Sequence, residues 1–400
     1  MGNTKGVGIV ETLRIGMFAW ESLHSIKVGG IAAHVTELAE TLASMGHEVQ
    51  VFTRKGCYRD YDEINGVHYQ RVDHDSSGDI VHQMNSMCDS MYDRFKSFKN
   101  HYGDFDILHG HDWHPVNVLC RIKKKYESPF VLTYHSTEWG RNGNYPGNWR
   151  GSDEISHREW KGGYEASQVI ATQEQFKKEI QNLYKVPDYK ISLVPNGIYP
   201  GKMEKDVDPD EVKTRHGIDP SSPVVLFTGR MSYQKGPDML VDAIPHVLDN
   251  ERDTNFVFIG EGDMRTHCER MAYDMGIKDS CHFLGYAPTD VLTDWMNTAE
   301  MACVPSRNEP FGIVVLEAWD ACRPVVATDA INLIDNFSNG ILSYRHSGSV
   351  AWGINYALDG LNGPYTKQMG INGNKLAKTK YNWNNIAKHT LDTYRRAMEI

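Results

Sequence analysis

The sequence predicts an α/β protein with two doubly wound domains that face each other across a cleft. Three observations support this prediction. The chain has 400 residues, more than one hydrophobic core usually serves. Short apolar runs alternate with amphipathic helical periods, and the alternation starts afresh after a polar stretch at residues 203–210. Because such folds bind ligands at the carboxyl ends of their strands, we expect the site in the cleft.

The first half opens with a strand–helix–strand unit. Residues 13–18 and 49–52 are short apolar runs typical of strands. Between them, residues 31–45 place apolar side chains three and four positions apart, which predicts an amphipathic helix that ends at Gly46. Further strands are predicted at 107–108, 130–133, 169–171 and 191–194.

The second half repeats the alternation more regularly. The polar stretch before it places the domain boundary near residue 204. Strands are predicted at 224–227, 256–259, 281–284, 301–304 and 324–327, and helices at 238–248, 264–275, 290–297 and 311–321.

Composition excludes several classes of protein. The formal net charge of -10 argues against general binding to nucleic acid or acidic membranes. No apolar run approaches the roughly 20 residues that a bilayer span requires. The seven cysteines include no Cys-x-x-Cys pair, so neither a disulfide framework nor a zinc knuckle is predicted. Residues 1–6 are interpreted as a disordered lead-in to a cytoplasmic protein.

Two loops carry groups suited to phosphate. Gly29 and Gly30 open the first helix, where bare N–H groups and the positive helix end could meet a phosphate, although a tight turn is the simpler alternative. Arg230 and Lys235 follow the strand at 224–227 and could neutralise a departing diphosphate. Two solvated loop cations are the alternative reading.

Two carboxylates follow in the second half. Glu309 lies in a loop after a strand, and Glu317 lies eight residues on, within the next helix. Both can face the cleft and accept hydrogen bonds from sugar and ribose hydroxyls. Phe311 and Gly312 lie between them and are grouped with this segment as donor-binding residues. The alternative is a helix-capping Glu309 with an unrelated surface Glu317.

Histidines are concentrated in the first half. His109, His111 and His114 flank Asp112, which is suggestive of a metal site. The sequence has no His-Glu-x-x-His helix to support one, so we predict a polar cleft edge and no metal. His135 follows a predicted strand and should project at its carboxyl end, where it suits a substrate contact or a structural role.

An aromatic segment follows His135. Trp139, Tyr145, Trp149 and Trp160 surround a Gly- and Asn-rich stretch at 140–151, which is too polar for a core. Aromatic faces stack on sugar rings, so an acceptor platform or lid is one hypothesis. Packing of a long loop is the other.

These segments, taken in order, resemble the family-4 glycosyltransferases and the related glycogen and starch synthases. Residues 27–30 are similar to the Lys-x-Gly-Gly donor loop, and residues 109–114 to a His-x-His-Asp-Trp strand end. The loop at 229–236 and the Glu-x7-Glu pair are the most specific features. The resemblance implies the GT-B fold of two Rossmann-like domains. The N-terminal domain would span residues 1–204 and would be completed by a crossing helix at 384–400. The C-terminal domain would span residues 205–383.

The resemblance implies a retaining transfer that needs no metal or cofactor. A hexose, glucose in the synthases, would move from a UDP- or ADP-sugar to an acceptor hydroxyl, an α-glucan being one candidate. Arg230 and Lys235 would bind the diphosphate. Gly29 and Gly30 would approach its distal phosphate, and Glu317 would hold the ribose.

The other site residues would contact the sugars. Glu309 would bind hydroxyls of the donor sugar, and His135 would lie beside that sugar. Asp112 would be an orienting or acceptor-side residue, and Trp139 would lie on the acceptor side. The partners implied are a nucleotide sugar and a carbohydrate or other hydroxyl acceptor, with homo-oligomerisation left open.

One segment departs from the family pattern. Where the family has a Gly-Gly turn and then a glutamate, residues 330–335 read Ala-Ile-Asn-Leu-Ile-Asp, with Asp335 a substitute for the glutamate. This departure motivates one alternative, a catalytically weak sugar-nucleotide-binding regulatory protein. A GT-B sugar-nucleotide epimerase is the other alternative, and the Lys-Val-Gly-Gly loop and the Glu-x7-Glu pair disfavour it.

Overall fold

The computed structural model describes residues 12–399, so the predicted lead-in at residues 1–6 lies outside the described part of the chain. The described part forms two sheets, one of eight strands and one of six. Apolar clusters cover both faces of each sheet. The predicted α/β fold with two doubly wound domains is confirmed.

The first sheet has the strand order β3-β4-β2-β1-β5-β6-β7-β8, and only the β3–β4 pair is antiparallel. Its strands are β1 (Arg14–Phe18), β2 (Glu48–Arg54), β3 (Tyr61–Ile64), β4 (Val67–Val72), β5 (Ile107–His111), β6 (Phe130–Thr133), β7 (Gln168–Ala171) and β8 (Ile191–Leu193). Its helices are α1 (Gly30–Ser44), α2 (Ile80–Tyr102), α3 (Val116–Tyr126), α4 (Glu138–Arg141), α5 (Ser152–Glu165) and α6 (Glu174–Tyr184).

The second sheet is entirely parallel in the order β11-β10-β9-β12-β13-β14. Its strands are β9 (Val224–Thr228), β10 (Asn255–Ile259), β11 (Cys281–Gly285), β12 (Met301–Val304), β13 (Val325–Thr328) and β14 (Ile341–Ser343). The accompanying helices are α7 (Pro209–Arg215), α8 (Pro237–Leu248), α9 (Arg265–Asp274), α10 (Thr289–Thr298), α11 (Ile313–Asp320), α12 (Ser347–Leu358) and α13 (Gly363–Thr379). The predicted boundary near residue 204 falls between β8 and α7 and stays a prediction.

The last helix, α14 (Trp383–Met398), packs against α1 and against β5, β6 and β7 of the first sheet. Trp383, Ile386 and Tyr394 are buried in the same apolar cluster as the side chains of β1. The chain thus returns from the second sheet to the first, which ties the two halves together. In the described part of the chain, no helix combines the length and apolar character of a membrane span.

Candidate active site between the two domains

Most of the predicted site residues follow strands at the carboxyl edges of the two sheets. Gly29 and Gly30 come after β1 and His135 after β6, while Arg230 and Lys235 follow β9 and Glu309 follows β12. Because parallel strands present their carboxyl ends on one edge, these loops face the space between the sheets.

The loop at residues 27–30, which contains Gly29 and Gly30, brings the two domains into close contact. Gly29 is the N-cap of α1, and a β-carbon built there would lie 3.7 Å from both Arg230 Nη2 and Glu21 Oε1. A β-carbon on Gly30 would lie 3.2 Å from Ile313 Cδ1 at the start of α11. The predicted phosphate-binding groups of the first and second domains therefore converge.

Glu21 occupies backbone donors of this loop. Its carboxylate accepts hydrogen bonds from the N–H groups of Val28, at 2.5 Å, and Gly29, at 2.7 Å. Burial raises the pKa of Glu21, while these two bonds and the charges of Arg54 and Arg230 oppose the shift. The Gly29 N–H, expected to be bare, is thus taken by a carboxylate from its own domain. Glu21 was not among the predicted site residues, although a carboxylate shortly after the strand predicted at 13–18 was a visible signal.

Lys235 and Glu309 form an ion pair in the second domain. Lys235 Nζ lies 2.6 Å from Glu309 Oε2, which also accepts a hydrogen bond from Ser306 Oγ at 2.9 Å. Glu309 is only 8% exposed. The N-cap of α11 is Gly312, without a side-chain capping bond, so Glu309 is not a helix cap. Arg230, which follows the same strand as Lys235, is solvent-exposed.

Residues of the first domain bind the backbone of the segment that contains Glu309 and Pro310, which we call the glutamate loop. Gln173 Nε2 donates to the Glu309 carbonyl and Thr172 Oγ1 donates to the Pro310 carbonyl, both at 2.6 Å. Thr172 and Gln173 follow β7 and are buried. The sequence analysis missed both residues, although they follow a predicted strand.

The residues that follow Glu309 in the Glu-x7-Glu segment contribute to the core and to the start of α11. Phe311 is buried in the second-domain core and contacts Tyr381 edge-on. Its side chain therefore packs in the core, and its grouping as a donor-binding residue stays a prediction. Gly312 has φ 95°, a conformation that favours glycine, and this shortens the predicted helix at 311–321 to start at Ile313.

Glu317 lies on α11 and is partly exposed. Burial raises its pKa, the charges of Lys202 and Lys27 oppose that shift, and the charge of Glu37 adds to it. Lys202 is itself paired with Glu37 on α1. Glu317, on a helix of the second domain, is therefore close to two cations that precede the predicted domain boundary, Lys27 and Lys202.

The histidines form a different group from the one that the sequence suggested. His34, His111 and His135 each place one ring nitrogen within 4.8 Å of the others, whereas His109 is bonded to Tyr394 Oη and Thr133 Oγ1, each at 2.7 Å. Among residues 12–399, this trio and not the cluster at 109–114 is the group of side chains that could hold an ion. Burial lowers the pKa of His135 to about 3 and those of His34 and His111 well below 6.5, so the rings are neutral.

Asp112 orients the segment that carries His135. Its carboxylate accepts the N–H groups of His135, at 3.1 Å, and Ser136, at 3.3 Å. Burial raises the pKa of Asp112, and Arg141 Nη1, 3.7 Å away, opposes that shift. The orienting alternative predicted for Asp112 agrees with this geometry.

The aromatic side chains of this segment make separate contacts. Trp139 on α4 contacts Tyr145, and Trp149 Nε1 donates to Glu138 Oε1 at 3.1 Å. Trp160 lies on α5 instead, where it stacks between His157 and Tyr164.

The loop after α4 lies against the second domain. A β-carbon on Gly140 would lie 2.8 Å from Asn308 Oδ1, and one on Gly143 would lie 2.5 Å from the Tyr233 ring. A larger residue at either position would require Asn308 or Tyr233 to move, and Gly143 also has φ 74°, a conformation that favours glycine. Arg141 and Asn142 of this segment line a cavity of about 420 Å³ together with Arg230, Ser232, Tyr233, Gln234 and Asp263.

Arg141 is fixed by a buried network that the sequence analysis missed. Its guanidinium donates to Glu159 Oε1 at 2.5 Å and to Glu138 Oε2 at 3.2 Å. Burial raises the pKa of Glu159 to about 7, and the Arg141 charge opposes that shift. The cation is thus held rigidly beside the cavity.

The altered turn at 330–335 is part of the second-domain fold. Ala330, Ile331 and Leu333 are buried, and the backbone N–H of Asn332 donates to Gln173 Oε1 at 3.2 Å. Asp335, the predicted substitute for the family glutamate, is exposed. The turn therefore keeps a contact to the first domain without the two glycines.

Comparisons with known proteins agree with this architecture. The family described as glycosyl transferases group 1 matches residues 208–376, and glycosyltransferase family 4 matches residues 28–202. An uncharacterized glycosyltransferase of Methanocaldococcus jannaschii is 33% identical over 395 residues, covering 97% of this chain and 99% of that protein.

Solved structures show the same fold. Sucrose-phosphate synthase of Thermosynechococcus elongatus superposes with a TM-score of 0.81 at 21% identity, covering 96% of this chain and 99% of that one. Anabaena HepE in complex with UDP-glucose superposes with a TM-score of 0.77 at 17% identity, covering 96% of this chain and 99% of that one.

Proposed function

This chain belongs to the group 1 glycosyltransferases, and we propose that it is a retaining, metal-independent hexosyltransferase of the cytoplasm. It would move glucose from UDP-glucose or ADP-glucose to an acceptor hydroxyl. The observation that carries the proposal is the approach of Arg230 Nη2 to the Gly29 position across the cleft. The seven cysteines are unpaired, as suits a reducing compartment.

The diphosphate of the donor would bind at this point of approach. Arg230 and Lys235 supply two cations, and the start of α1 adds the positive end of a helix. Charge builds on the diphosphate as the bond to the sugar breaks, so fixed cations stabilise the transition state more than the bound donor. Gly29 and Gly30 leave room for the phosphate, although Glu21 already uses the Gly29 N–H.

The two glutamates would bind the sugar units of the donor. Glu309 is held by Lys235, by Ser306 and through its carbonyl by Gln173, so its carboxylate is positioned before the donor arrives. It would accept hydroxyls of the transferred hexose. Glu317, further along α11, would accept the ribose hydroxyls.

His135 and Asp112 would define the side of the hexose that faces the first domain. A neutral His135 can donate one hydrogen bond and accept another, and Asp112 fixes its backbone. Retention follows if the acceptor attacks the face that the nucleotide leaves, through an oxocarbenium-like state. Trp139, on the loop that lies against the second domain, would contact the acceptor.

Two alternatives are separated by one assay. A sugar-nucleotide epimerase would convert the donor without an acceptor, and a regulatory protein would bind the donor without turnover. Purified protein is incubated with a panel of nucleotide sugars, and free nucleotide is measured with and without acceptors that include an α-glucan. Acceptor-stimulated release from one donor supports the proposal. Donor binding without release from any of them contradicts it and supports the regulatory alternative.

A further inference from the structure

Five planar groups stack along the carboxyl edge of the first sheet, and we name them the Arg54 column. The Arg54 guanidinium carbon lies 4.4 Å from the centroid of the Trp20 ring. That ring stacks on His114 at 4.3 Å with an angle of 5° between planes. His114 stacks on Trp113 at 4.3 Å, and Arg158 lies 5.6 Å above Trp113. The column runs from the end of β2 to α5.

Arg54 is a buried cation without a paired carboxylate. It is 6% exposed, and its guanidinium makes one hydrogen bond within residues 12–399, from Nε to the Trp20 carbonyl at 2.5 Å. Nη2 is buried and has no partner in that part of the chain. Arg158, at the other end of the column, pairs with Glu154 at 2.8 Å, whereas no carboxylate of the described residues lies within 4.0 Å of Arg54.

The carboxylate that acts most on Arg54 is already committed. Glu21 is the one group that offsets the effect of burial, which lowers the pKa of Arg54 to about 10. That carboxylate accepts the N–H groups of Val28 and Gly29. A charge that is buried with so little compensation is costly unless an anion arrives to pair with it.

Neighbouring polar atoms are also unsatisfied. Trp20 Nε1 and His114 Nδ1 are buried without a partner among the described residues. Burial lowers the pKa of His114 well below 6.5, and the charges of Arg141, Arg54 and Arg158 lower it further, so His114 is neutral. The surroundings of the column are therefore electropositive, and the Trp20 indole N–H in them needs an acceptor atom.

We propose that Arg54 and Trp20 Nε1 bind an oxyanion of the acceptor, so that the preferred acceptor is a phosphorylated or carboxylated sugar or polyol rather than a neutral glucan. A guanidinium is suited to both oxyanions because its planar N–H groups match their geometry. This inference rests on the proposed transfer reaction.

The column lies on the acceptor side of the cleft. Its residues belong to the first domain, whereas the donor cations Arg230 and Lys235 belong to the second. His114 follows Asp112 by two positions, and Asp112 binds the backbone of His135. An acceptor held at Arg54 would thus lie on the same wall of the cleft as His135.

The first experiment compares acceptors that differ only in charge. Glucose, glucose 6-phosphate and glucuronate, and inositol with an inositol phosphate, are each tested beside maltotetraose with the preferred donor. We expect kcat/KM to be at least about 10-fold higher for a charged acceptor than for its neutral counterpart, since charge-assisted hydrogen bonds are the strong ones. A preference for phosphate or for carboxylate identifies the oxyanion. Neutral acceptors that perform as well as charged ones overturn the proposal.

The second experiment tests Arg54 directly. Arg54→Met should raise KM for the charged acceptor by about 10-fold or more and affect the neutral one less, and Arg54→Lys should recover part of the loss. Arg252→Met, at an exposed position, is the matched control. Equal losses with charged and neutral acceptors would contradict the assignment.

Calorimetry separates this inference from the transfer reaction itself. Glucose 6-phosphate and inorganic phosphate are titrated into wild-type protein and into Arg54→Met, after circular dichroism has shown that the variant is folded. Binding that weakens in the variant supports the oxyanion site even if no donor is turned over. Binding that is absent in both, or equal in both, overturns it.

Discussion

The Lys235 ammonium lies 2.6 Å from the Glu309 carboxylate, although 74 residues separate them in the chain. The pair joins the loop after β9 to the loop after β12. If Lys235 also binds the diphosphate, the donor must share or replace this contact. The ion pair thus holds both side chains at the positions where the reaction would need them.

Removal of either donor cation should reduce turnover more than donor binding. Arg230→Ala and Lys235→Ala are each expected to lower kcat by about 100-fold, because the lost charge acts mainly as the diphosphate departs. Donor affinity, measured by calorimetry, should fall by less. Arg252→Ala is the control for a surface arginine. Equal losses in kcat and in affinity would contradict the role.

Glu21 should position the loop at residues 27–30, which contains Val28 and Gly29. Glu21→Ala leaves the N–H groups of Val28 and Gly29 without their acceptor, so we expect donor KM to rise by about 10-fold, the effect of losing one to two hydrogen bonds. Glu21→Gln retains a carbonyl oxygen and should recover part of that loss. The test is a comparison of KM and kcat for the three proteins. A fall in kcat at constant KM would place Glu21 elsewhere in the mechanism.

Buried histidines should make the fold sensitive to acid. Burial lowers the pKa of His109 to about 3, while an unfolded histidine titrates near 6.5. Between these values the unfolded state binds the extra proton, so the free energy of unfolding falls as pH falls from 6.5 toward 3. Glu159 acts in the opposite direction, because its raised pKa adds stability as pH falls from about 7.

A substitution isolates the contribution of one histidine. The free energy of unfolding of His109→Gln is measured with urea between pH 5 and 6. Its change with pH should be smaller than in wild type by up to about 1.4 kcal/mol per pH unit, which corresponds to the uptake of one proton. His389→Gln, on the exposed face of α14, is the control and should retain the wild-type slope. An unchanged slope for His109→Gln would show that His109 is already protonated in the fold or neutral in both states.

Chelation should leave the transferase active. In the proposed mechanism Arg230 and Lys235 take the place of a metal ion. Dialysis against EDTA is therefore expected to change kcat by less than about twofold. The informative comparison is with His34→Ala, which removes one member of the only described trio that could hold an ion. Loss of activity on chelation and its recovery with a single metal, but not in His34→Ala, would refute metal independence.

Much of the site could be predicted because each strand end is visible in the sequence. Arg230, Lys235 and His135 follow apolar runs that the structure shows as strands, so their place at the cleft follows from parallel topology alone. The roles of Glu21 and Arg54 could not be read in this way. Each role depends on partners that folding brings close, and the identity of a carboxylate or guanidinium residue does not indicate which distant residues it will contact.

The missed elements divide similarly. Helix α2 was not predicted, although its buried side chains, which include Met84, Met91 and Phe95, recur at helical spacing. The β3–β4 hairpin has a local signal that could have been used, because Asn65 and Gly66 both adopt positive φ in the connecting turn. The aromatic platform or lid stays a hypothesis, and one of its four residues lies apart from the others in the chain. Trp160 is separated from Trp149 by a helix boundary that the polar composition concealed.

The last prediction concerns the contact that holds the glutamate loop from the opposite domain. Gln173 Nε2 and Thr172 Oγ1 bind consecutive carbonyls, those of Glu309 and Pro310, and Gln173 Oε1 also accepts the N–H of Asn332. Gln173→Ala removes contacts to two segments of the second domain at once. Donor KM should therefore rise by about 10-fold, since loss of a buried hydrogen bond leaves its partner unsatisfied.

The matched substitution is Thr172→Val, which removes one hydrogen bond and keeps the shape of the side chain. It should have the smaller effect, because Asn332 keeps its partner. If the two domains move relative to each other during turnover, both variants should also shift the domain separation measured by small-angle scattering in the presence of the nucleotide product. An effect of Thr172→Val as large as that of Gln173→Ala would show that the Pro310 carbonyl, and not the double contact of Gln173, determines the position of Glu309.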